Sequence, residues 1–301
     1  VARASGKFEI RNSKFEIAEL GHRVTVDQAL RVGTGMLPKR EGLPDPRREA
    51  QWLLAAAWGV NEVELRIHPE RQVPTEVESR YRSWLERRSA GEPAHHLTGF
   101  CGFRGRDFEV GPDVLVPRPE TEIVIEVALA LPLARTARVF DVGTGSGCLA
   151  VTLAAERPSW RVAAVDRSPA ALAIARRNAA RHRTLIPMWV GDLTTAVGPP
   201  WDLVVANLPY VPTRDLEKLS VEVGHDPPSA LDGGGDGLDL VRRLLSDLGR
   251  VMRSCGGAIL EIGDGQAEVV CDLAVAEGLA VARRLRDPGG CDRVVVLETL
   301  S

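Results

Sequence analysis

The sequence predicts an α/β fold: a seven-stranded, mostly parallel sheet with a terminal antiparallel strand pair, preceded by a small helical domain. Three observations predict it. From Arg138 onward, short apolar runs alternate with segments of helical period; a glycine-rich turn, Gly143-Thr144-Gly145-Ser146-Gly147, leads from the first run into a helix; and the last two runs are separated only by Asp287-Pro288-Gly289-Gly290. A connection that short cannot hold a crossover helix, so those two strands must run antiparallel.

Residues 1–13 are polar and are expected to fray. Over 14–91, Val26, Ala29, Leu30 and Val32, then Ala50, Leu53, Leu54, Ala57 and Trp58, then Val77, Tyr81, Trp84 and Leu85 recur at helical spacing. Pro38, Pro44, Pro46, Pro69 and Pro74 cut this stretch into short helices, because proline lacks the amide donor of a helix interior. Trp52, Trp58 and Trp84 are expected to fill the core of this domain. Residues 92–119 form a connector in which Gly99, Gly102, Gly105 and Gly111 interleave with Phe100, Phe103 and Phe108, and Phe108 to Val116 alternates like a strand or hairpin arm.

Residues 120–301 hold the sheet. Arg138–Val142, Val162–Val165, Leu185–Val190, Leu203–Ala206 and Ala258–Ile262 are short and apolar, as parallel strands covered on both faces should be. Helices fit at Cys148–Ala155, Pro169–Arg181, Gly237–Leu248 and Gln266–Glu277, and the antiparallel pair at Ala280–Leu285 and Arg293–Leu297.

The chain has 301 residues, 44% hydrophobic and 26% charged, with a formal net charge of -3, so no bulk basic field attracts nucleic acid. No apolar run is long enough to cross a bilayer. The five cysteines are odd in number and widely spaced without a Cys-x-x-Cys pair, which predicts free thiols in a reducing, cytoplasmic setting and no metal site.

Asp141 and the glycine turn close the first strand, where a helix start presents unpaired amide donors. The spacing is Gly-x-Gly-x-Gly without a following Lys-Ser or Lys-Thr pair, so its ligand need carry no phosphate. Asp166 ends the second strand, where a carboxylate can accept from both hydroxyls of a ribose. Gly191-Asp192 ends the third, and Asp192 could accept from an adenine amino group. Strand-end turns and helix caps are the competing roles for both aspartates.

Asn207-Leu208-Pro209-Tyr210 directly follows the strand Leu203–Ala206. An amide or exocyclic amine is a poor nucleophile because its lone pair is delocalised. Asn207 Oδ1 and the Leu208 carbonyl can each accept one of its N–H hydrogens, aiming the nitrogen and favouring the charge that develops on it. Pro209 stiffens the turn, and Tyr210 can cover a flat acceptor group. The alternative for Asn207 is a turn residue that caps its own backbone.

These features together resemble the class I S-adenosylmethionine-dependent methyltransferases. The resemblance implies S-adenosyl-L-methionine as cofactor, with Asp141, Gly143, Thr144, Gly145 and Gly147 beside its methionine part, Asp166 on the ribose, Asp192 and Leu193 around the base, and Asn207 at the methyl. Glu92-Pro93-Ala94-His95-His96-Leu97-Thr98-Gly99, Val114-Leu115-Val116-Pro117-Arg118-Pro119-Glu120-Thr121-Glu122, Ser229 to Leu238 and Leu260-Glu261-Ile262-Gly263 narrow it further. They resemble the bacterial protein-(glutamine-N5) methyltransferases that modify peptide-chain release factors. That family implies that Arg118, Pro119, Thr121 and Glu122 form a substrate wall with Asn207 and Tyr210, that 14–91 recognises the protein substrate, and that the target is the glutamine of a Gly-Gly-Gln loop. The local alternative for Arg118 to Glu122 is a proline-led helix start with acidic first-turn charges.

Two departures keep other readings open. The family usually has proline at Leu208, and Asn-Leu-Pro-Tyr is similar to the string of rRNA adenine dimethyltransferases, whose helical domain follows the sheet instead of preceding it. The stretch Val24–Pro46 is longer and more broken by proline than the family's compact start, which would suit an N-methyltransferase of a specialised pathway acting on another protein or a small amide. A third reading is a cofactor-binding or partner-binding protein without chemistry. Membrane and stable nucleic-acid partners are not expected.

Overall fold

The computed structural model describes residues 24–39, 45–195, 198 and 200–299, so the expectation for residues 1–13 lies outside it. The chain divides into two compact units, residues 1–85 and 86–301.

The first unit contains helices α1 (Val26–Met36), α2 (Pro46–Trp58), α3 (Glu62–Ile67) and most of α4 (Thr75–Ser89). Local chemistry sets their ends. Thr25 and Gln28 form a reciprocal capping box on α1. Asp45 caps α2 ahead of Pro46, and Gly59 at φ 73° ends it. The core consists of Val26, Ala50, Leu53, Leu54, Leu65, Tyr81 and Leu85. Tyr81 is the aromatic at its centre, its hydroxyl donating to the Ala50 carbonyl at 3.1 Å. The tryptophans are a correction: Trp52, Trp58 and Trp84 are only half-buried, and Arg71 lies over the Trp58 ring at 4.3 Å. An indole keeps its polar edge towards water more readily than a leucine keeps its whole side chain there.

In the second unit, α5 (Ala94–Thr98) leads into a hairpin of β1 (Phe100–Phe103) and β2 (Arg106–Glu109). The expected strand from Phe108 to Val116 stops at Glu109, whose backbone amide donates to Asn178 Oδ1 at 2.7 Å. Beyond it, Val110, Val114 and Val116 stay buried without strand pairing. Alternation here reports burial of a loop.

The remaining elements are α6 (Glu122–Ala130), β3 (Arg138–Val142), α7 (Cys148–Glu156), β4 (Arg161–Asp166), α8 (Pro169–Arg181), β5 (Met188–Val190), β6 (Trp201–Asn207), α9 (Asp239–Val251), β7 (Met252–Glu261), α10 (Ala267–Ala276), β8 (Leu279–Arg286) and β9 (Asp292–Thr299). Seven strands form one sheet in the order β5-β4-β3-β6-β7-β9-β8; β9 pairs antiparallel with both neighbours and the other ladders are parallel. Side chains alternate between its faces. Val139, Val162, Leu203, Val205 and Ile259 belong to the core shared with α6 and α7, while Phe140, Val142, Val204, Ala206 and Leu260 join the core under α9 and α10. Each such leucine or valine contributes roughly 1.5 to 3 kcal/mol by leaving water.

Strand limits differ from expectation where proline and glycine intervene. β5 begins at Met188 because Pro187 has no amide to donate, and Leu185 is 97% exposed. β7 starts at Met252, ahead of Gly256 and Gly257, and its ladder with β6 shifts register between Trp201 and Leu203. Among the described residues no helix is long and apolar enough to cross a membrane.

Candidate active site

The strand order reverses at β3, which has β4 on one side and β6 on the other. Connections leaving the C-terminal ends of β3 and β6 therefore diverge and open a crevice, the place where sheets of this kind hold ligands. A cleft of about 960 Å³, its open mouth included, lies there, walled by the turn after β3, the ends of β4 and β6, and loop residues such as Leu115, Pro117 and Ser229.

Asp141 lies beneath the glycine turn and is not among the cleft-lining residues. It is fully buried; its Oδ2 accepts from Thr144 Oγ1 at 2.5 Å and from the Ala150 amide at 3.1 Å, tying the turn to the start of α7. Burial pushes its carboxyl up to about 7, against those two hydrogen bonds. Gly147, also off the cleft, caps α7 where a Cβ would stand 3.2 Å from Ala175 of α8. Gly143, Thr144 and Gly145 do face the cleft. At the Gly143 φ of 74° any larger residue is strained, and its Cβ would also stand 2.9 Å from Leu208 Cδ2.

Asp166 sits at the cleft with both oxygens engaged from below: the Gly145 amide donates to Oδ2 and the Ser168 amide to Oδ1, each at 2.8 Å. Those bonds hold the carboxylate rigid while each oxygen retains a lone pair for a hydroxyl. Asp192 also lines the cleft, but Arg243 Nη2 takes its Oδ2 at 2.5 Å. Leu193 follows at φ 51°, a left-handed conformation costing a non-glycine residue about 1 to 2 kcal/mol. Its buried side chain in the core offsets that strain. Leu115, Val165, Leu193 and Leu240 give the cleft apolar walls, and Arg167 is the only cation among its described lining residues. A rigid acceptor carboxylate, apolar walls and the lack of a phosphate-binding lysine fit S-adenosylmethionine.

Asn207 ends β6 at the cleft, and its Nδ2 donates to Thr121 Oγ1 at 3.1 Å. The next three residues are held by a second loop. A Cβ on Gly233 would stand 2.7 Å from the Pro209 carbonyl oxygen, and one on Gly237, at φ 83°, 2.3 Å from that of Tyr210. Gln266 Nε2 donates to the Tyr210 carbonyl at 2.9 Å, while its Oε1 accepts from the Gly263 amide at 2.8 Å. The glycine run Gly233-Gly234-Gly235-Asp236-Gly237 is thus the backing of the Asn207 loop, and α9 begins only after it, at Asp239. Leu208 and Pro209 line the cleft; Tyr210 is half-buried beside it and is not among the lining residues.

The expected substrate wall is divided. Thr121 is on the cleft, whereas Arg118, Pro119 and Glu122 are not. Glu122 accepts from the Arg104 amide at 2.9 Å, towards the hairpin. Arg118 Nη2 donates to Asp226 Oδ2 at 2.6 Å. Asp226, a residue the motifs do not flag, is 2% exposed; its Oδ1 accepts from the Val116 amide at 3.5 Å and lies 3.5 Å from His96 Nε2. Burial raises its pKa and the Arg118 charge opposes that. Burial also depresses His96, against the charge of Asp226, so the imidazole is neutral at pH 7. Glu261 is the second residue left without a role by the motifs, although it is part of Leu260-Glu261-Ile262-Gly263. It is 2% exposed and stands in register with Asn207 on the neighbouring strand. No group of His, Cys, Asp and Glu among the described residues could hold a metal ion.

Two family models match the chain: a PrmC N-terminal domain over residues 28–99 and a methyltransferase small domain over 121–250. The release factor glutamine methyltransferase of Geobacter sulfurreducens is 39% identical over 273 residues, 90% of this chain and 95% of that protein. That of Pseudomonas aeruginosa is 41% identical over 260 residues, 84% of this chain and 92% of its own length. Among solved structures, the hMettl16 catalytic domain aligns with TM-score 0.54 and 16% identity, covering 64% of this chain and 75% of that one. A methyltransferase from Pyrococcus furiosus aligns with TM-score 0.51 and 18% identity, covering 65% and 90%. At such low identity these two speak for the fold alone.

Proposed function

The chain belongs to the release factor glutamine methyltransferases, and from that premise we propose that it transfers a methyl group from S-adenosylmethionine to the side-chain amide nitrogen of glutamine in the Gly-Gly-Gln loop of a peptide-chain release factor. The cofactor supplies an activated methyl on a sulfonium centre. Everything else falls to this chain's residues. Asp166 accepts from the ribose hydroxyls, Leu193 and the other apolar walls cover the base, and the Gly143 to Gly145 turn lets the backbone approach closely.

Asn207 Oδ1 and the Leu208 carbonyl accept the two N–H hydrogens of the glutamine amide. Their pull raises electron density on a nitrogen whose lone pair is otherwise shared with the carbonyl, and it favours the positive charge that appears on that nitrogen during transfer. Asn207 and Leu208 line the same cleft as the Gly143 to Gly145 turn and Asp166, with Asn207 anchored on Thr121, and this placement is the observation that carries the reading. Once the nitrogen is cationic its proton leaves readily, so the residues need supply no base before transfer. Residues 14–91 recognise the release factor, and the match of 28–99 to the PrmC N-terminal domain supports that assignment.

Incubation with methyl-labelled cofactor, intact release factors and rRNA, followed by peptide mass mapping, tests the proposal. One methyl on the glutamine of the Gly-Gly-Gln peptide is expected. Confirmed cofactor binding without methyl gain on any release factor would overturn the substrate, and label in RNA would move the acceptor to adenine.

A further inference from the structure

The two ends of a carboxamide are nearly the same size, so position alone does not decide which end of Asn207 faces the acceptor. Thr121 does not decide it either, because a hydroxyl both donates and accepts. The choice requires a neighbour that can only accept.

Glu261 is such a neighbour. It pairs with Asn207 in the parallel β6–β7 ladder, and the alternation that puts Val205 and Ile259 on the α6–α7 face puts Asn207 and Glu261 there too. Its side chain is 2% exposed and does not line the cleft, and its Oε2 has no hydrogen-bond partner. We propose that Glu261 is a positioning residue: together with Thr121 it holds the Asn207 amide with Nδ2 turned inward and Oδ1 turned to the acceptor nitrogen. This deepens the reading of Asn207 as the acceptor clamp and rests on it.

The charge state of Glu261 then matters. Burial pushes its carboxyl up to about 7; Thr121 and Asn207, within reach as donors, and the Arg293 charge on β9 pull it down, while Glu120 ahead of α6 pushes it up. Tyr210 and Cys148 are the titratable groups whose own protons the Glu261 charge holds on. Ionised, Glu261 accepts only and selects one orientation. Protonated, it can donate to Asn207 Oδ1, and the selection is lost. Below neutral pH the clamp therefore disorders.

Two measurements on the purified full chain test this. Release-factor methylation from about pH 5.5 to 8.5 is expected to show an acid limb with a midpoint near 7. Glu261→Gln, which can donate at any pH, should lower kcat/KM roughly tenfold to a hundredfold, remove that limb and leave cofactor Kd unchanged. Glu261→Asp, still accept-only, should restore a pH limb. Independently of turnover, the Asn207 side-chain amide resonances of nitrogen-15-labelled protein should titrate across the same range and be static in the folded Glu261→Gln protein. Wild-type kinetics in that variant, or Asn207 resonances indifferent to pH in the native chain, would overturn the role of Glu261. A native chain that leaves release factors unmethylated while its Asn207 resonances titrate would overturn the substrate assignment alone.

Discussion

Leu208 closes against Gly143: a Cβ built on that glycine would stand 2.9 Å from Leu208 Cδ2. The leucine is 4% exposed and belongs to the core under α9 and α10, so the residue that departs from the family's usual proline joins the acceptor loop to the cofactor turn. Its backbone carbonyl, which the proposed chemistry uses, would be equally present in proline.

Leu208→Pro is therefore expected to keep most of its turnover on the release factor and to lose stability through reduced burial. Gly143→Ala should cost more than the strain of a left-handed alanine, about 1 to 2 kcal/mol, because the added methyl also meets Leu208. In a Leu208→Ala background the steric part vanishes. A double-mutant cycle by urea unfolding should show about 1 kcal/mol of coupling. Strict additivity would mean that the turn and the loop adjust independently.

Asp226 is the next test, because it joins segments far apart in sequence: Val116 and Arg118 on one side and the connection between β6 and α9 on the other. Replacing it by asparagine leaves the shape and removes the charge that Arg118 faces at 2.6 Å. Loss of a buried charged hydrogen bond should cost about 1 to 3 kcal/mol of stability. Pro117, next to both tethered residues, lines the cleft, so cofactor Kd should rise as well. Calorimetry of Asp226→Asn measures both, and an unchanged melting temperature would show that the tether is idle.

What is legible in the sequence is what is local. Asp166 stands out because a carboxylate at the end of an apolar run precedes a Ser-Pro helix start, and the run, the cap and the proline are neighbours. Asn207 stands out for the same reason. Asp226 carries no such mark, since its partner Arg118 is 108 residues away and only folding reveals the pair. Glu261 is hidden differently: Leu260-Glu261-Ile262-Gly263 marks the family without giving the glutamate a role, and that role comes from a register with Asn207 that no single segment encodes. Trp52, Trp58 and Trp84 mislead because helical spacing identifies a face but not how deeply it is buried.

Asp141 offers a test that needs no substrate. Its carboxyl is pushed up to about 7 in the folded protein by complete burial, from an ordinary value of 3.8. Between those two values the folded chain keeps the proton and the unfolded chain has released it, so stability must fall as pH rises through that window and level off above it. The loss amounts to about 4 kcal/mol at most. Glu261, raised to about 7 from 4.5, adds a loss of the same sign over nearly the same range. With its amide oxygen at the Oδ2 position, the asparagine of an Asp141→Asn variant would still accept from both the Ala150 amide and the Thr144 hydroxyl, at the cost of an NH2 group at the buried Oδ1 position, which has no partner, so the fold should survive. That variant is expected to be the less stable protein, or an equal one, near pH 4, and to gain on the native chain steadily towards pH 7. Combining it with Glu261→Gln should flatten the native slope further. Denaturant unfolding at half-unit pH steps reads this directly: curves for native and variant proteins that stay parallel across the window would mean that Asp141 is ionised in the fold, with the glycine turn resting on a buried charge.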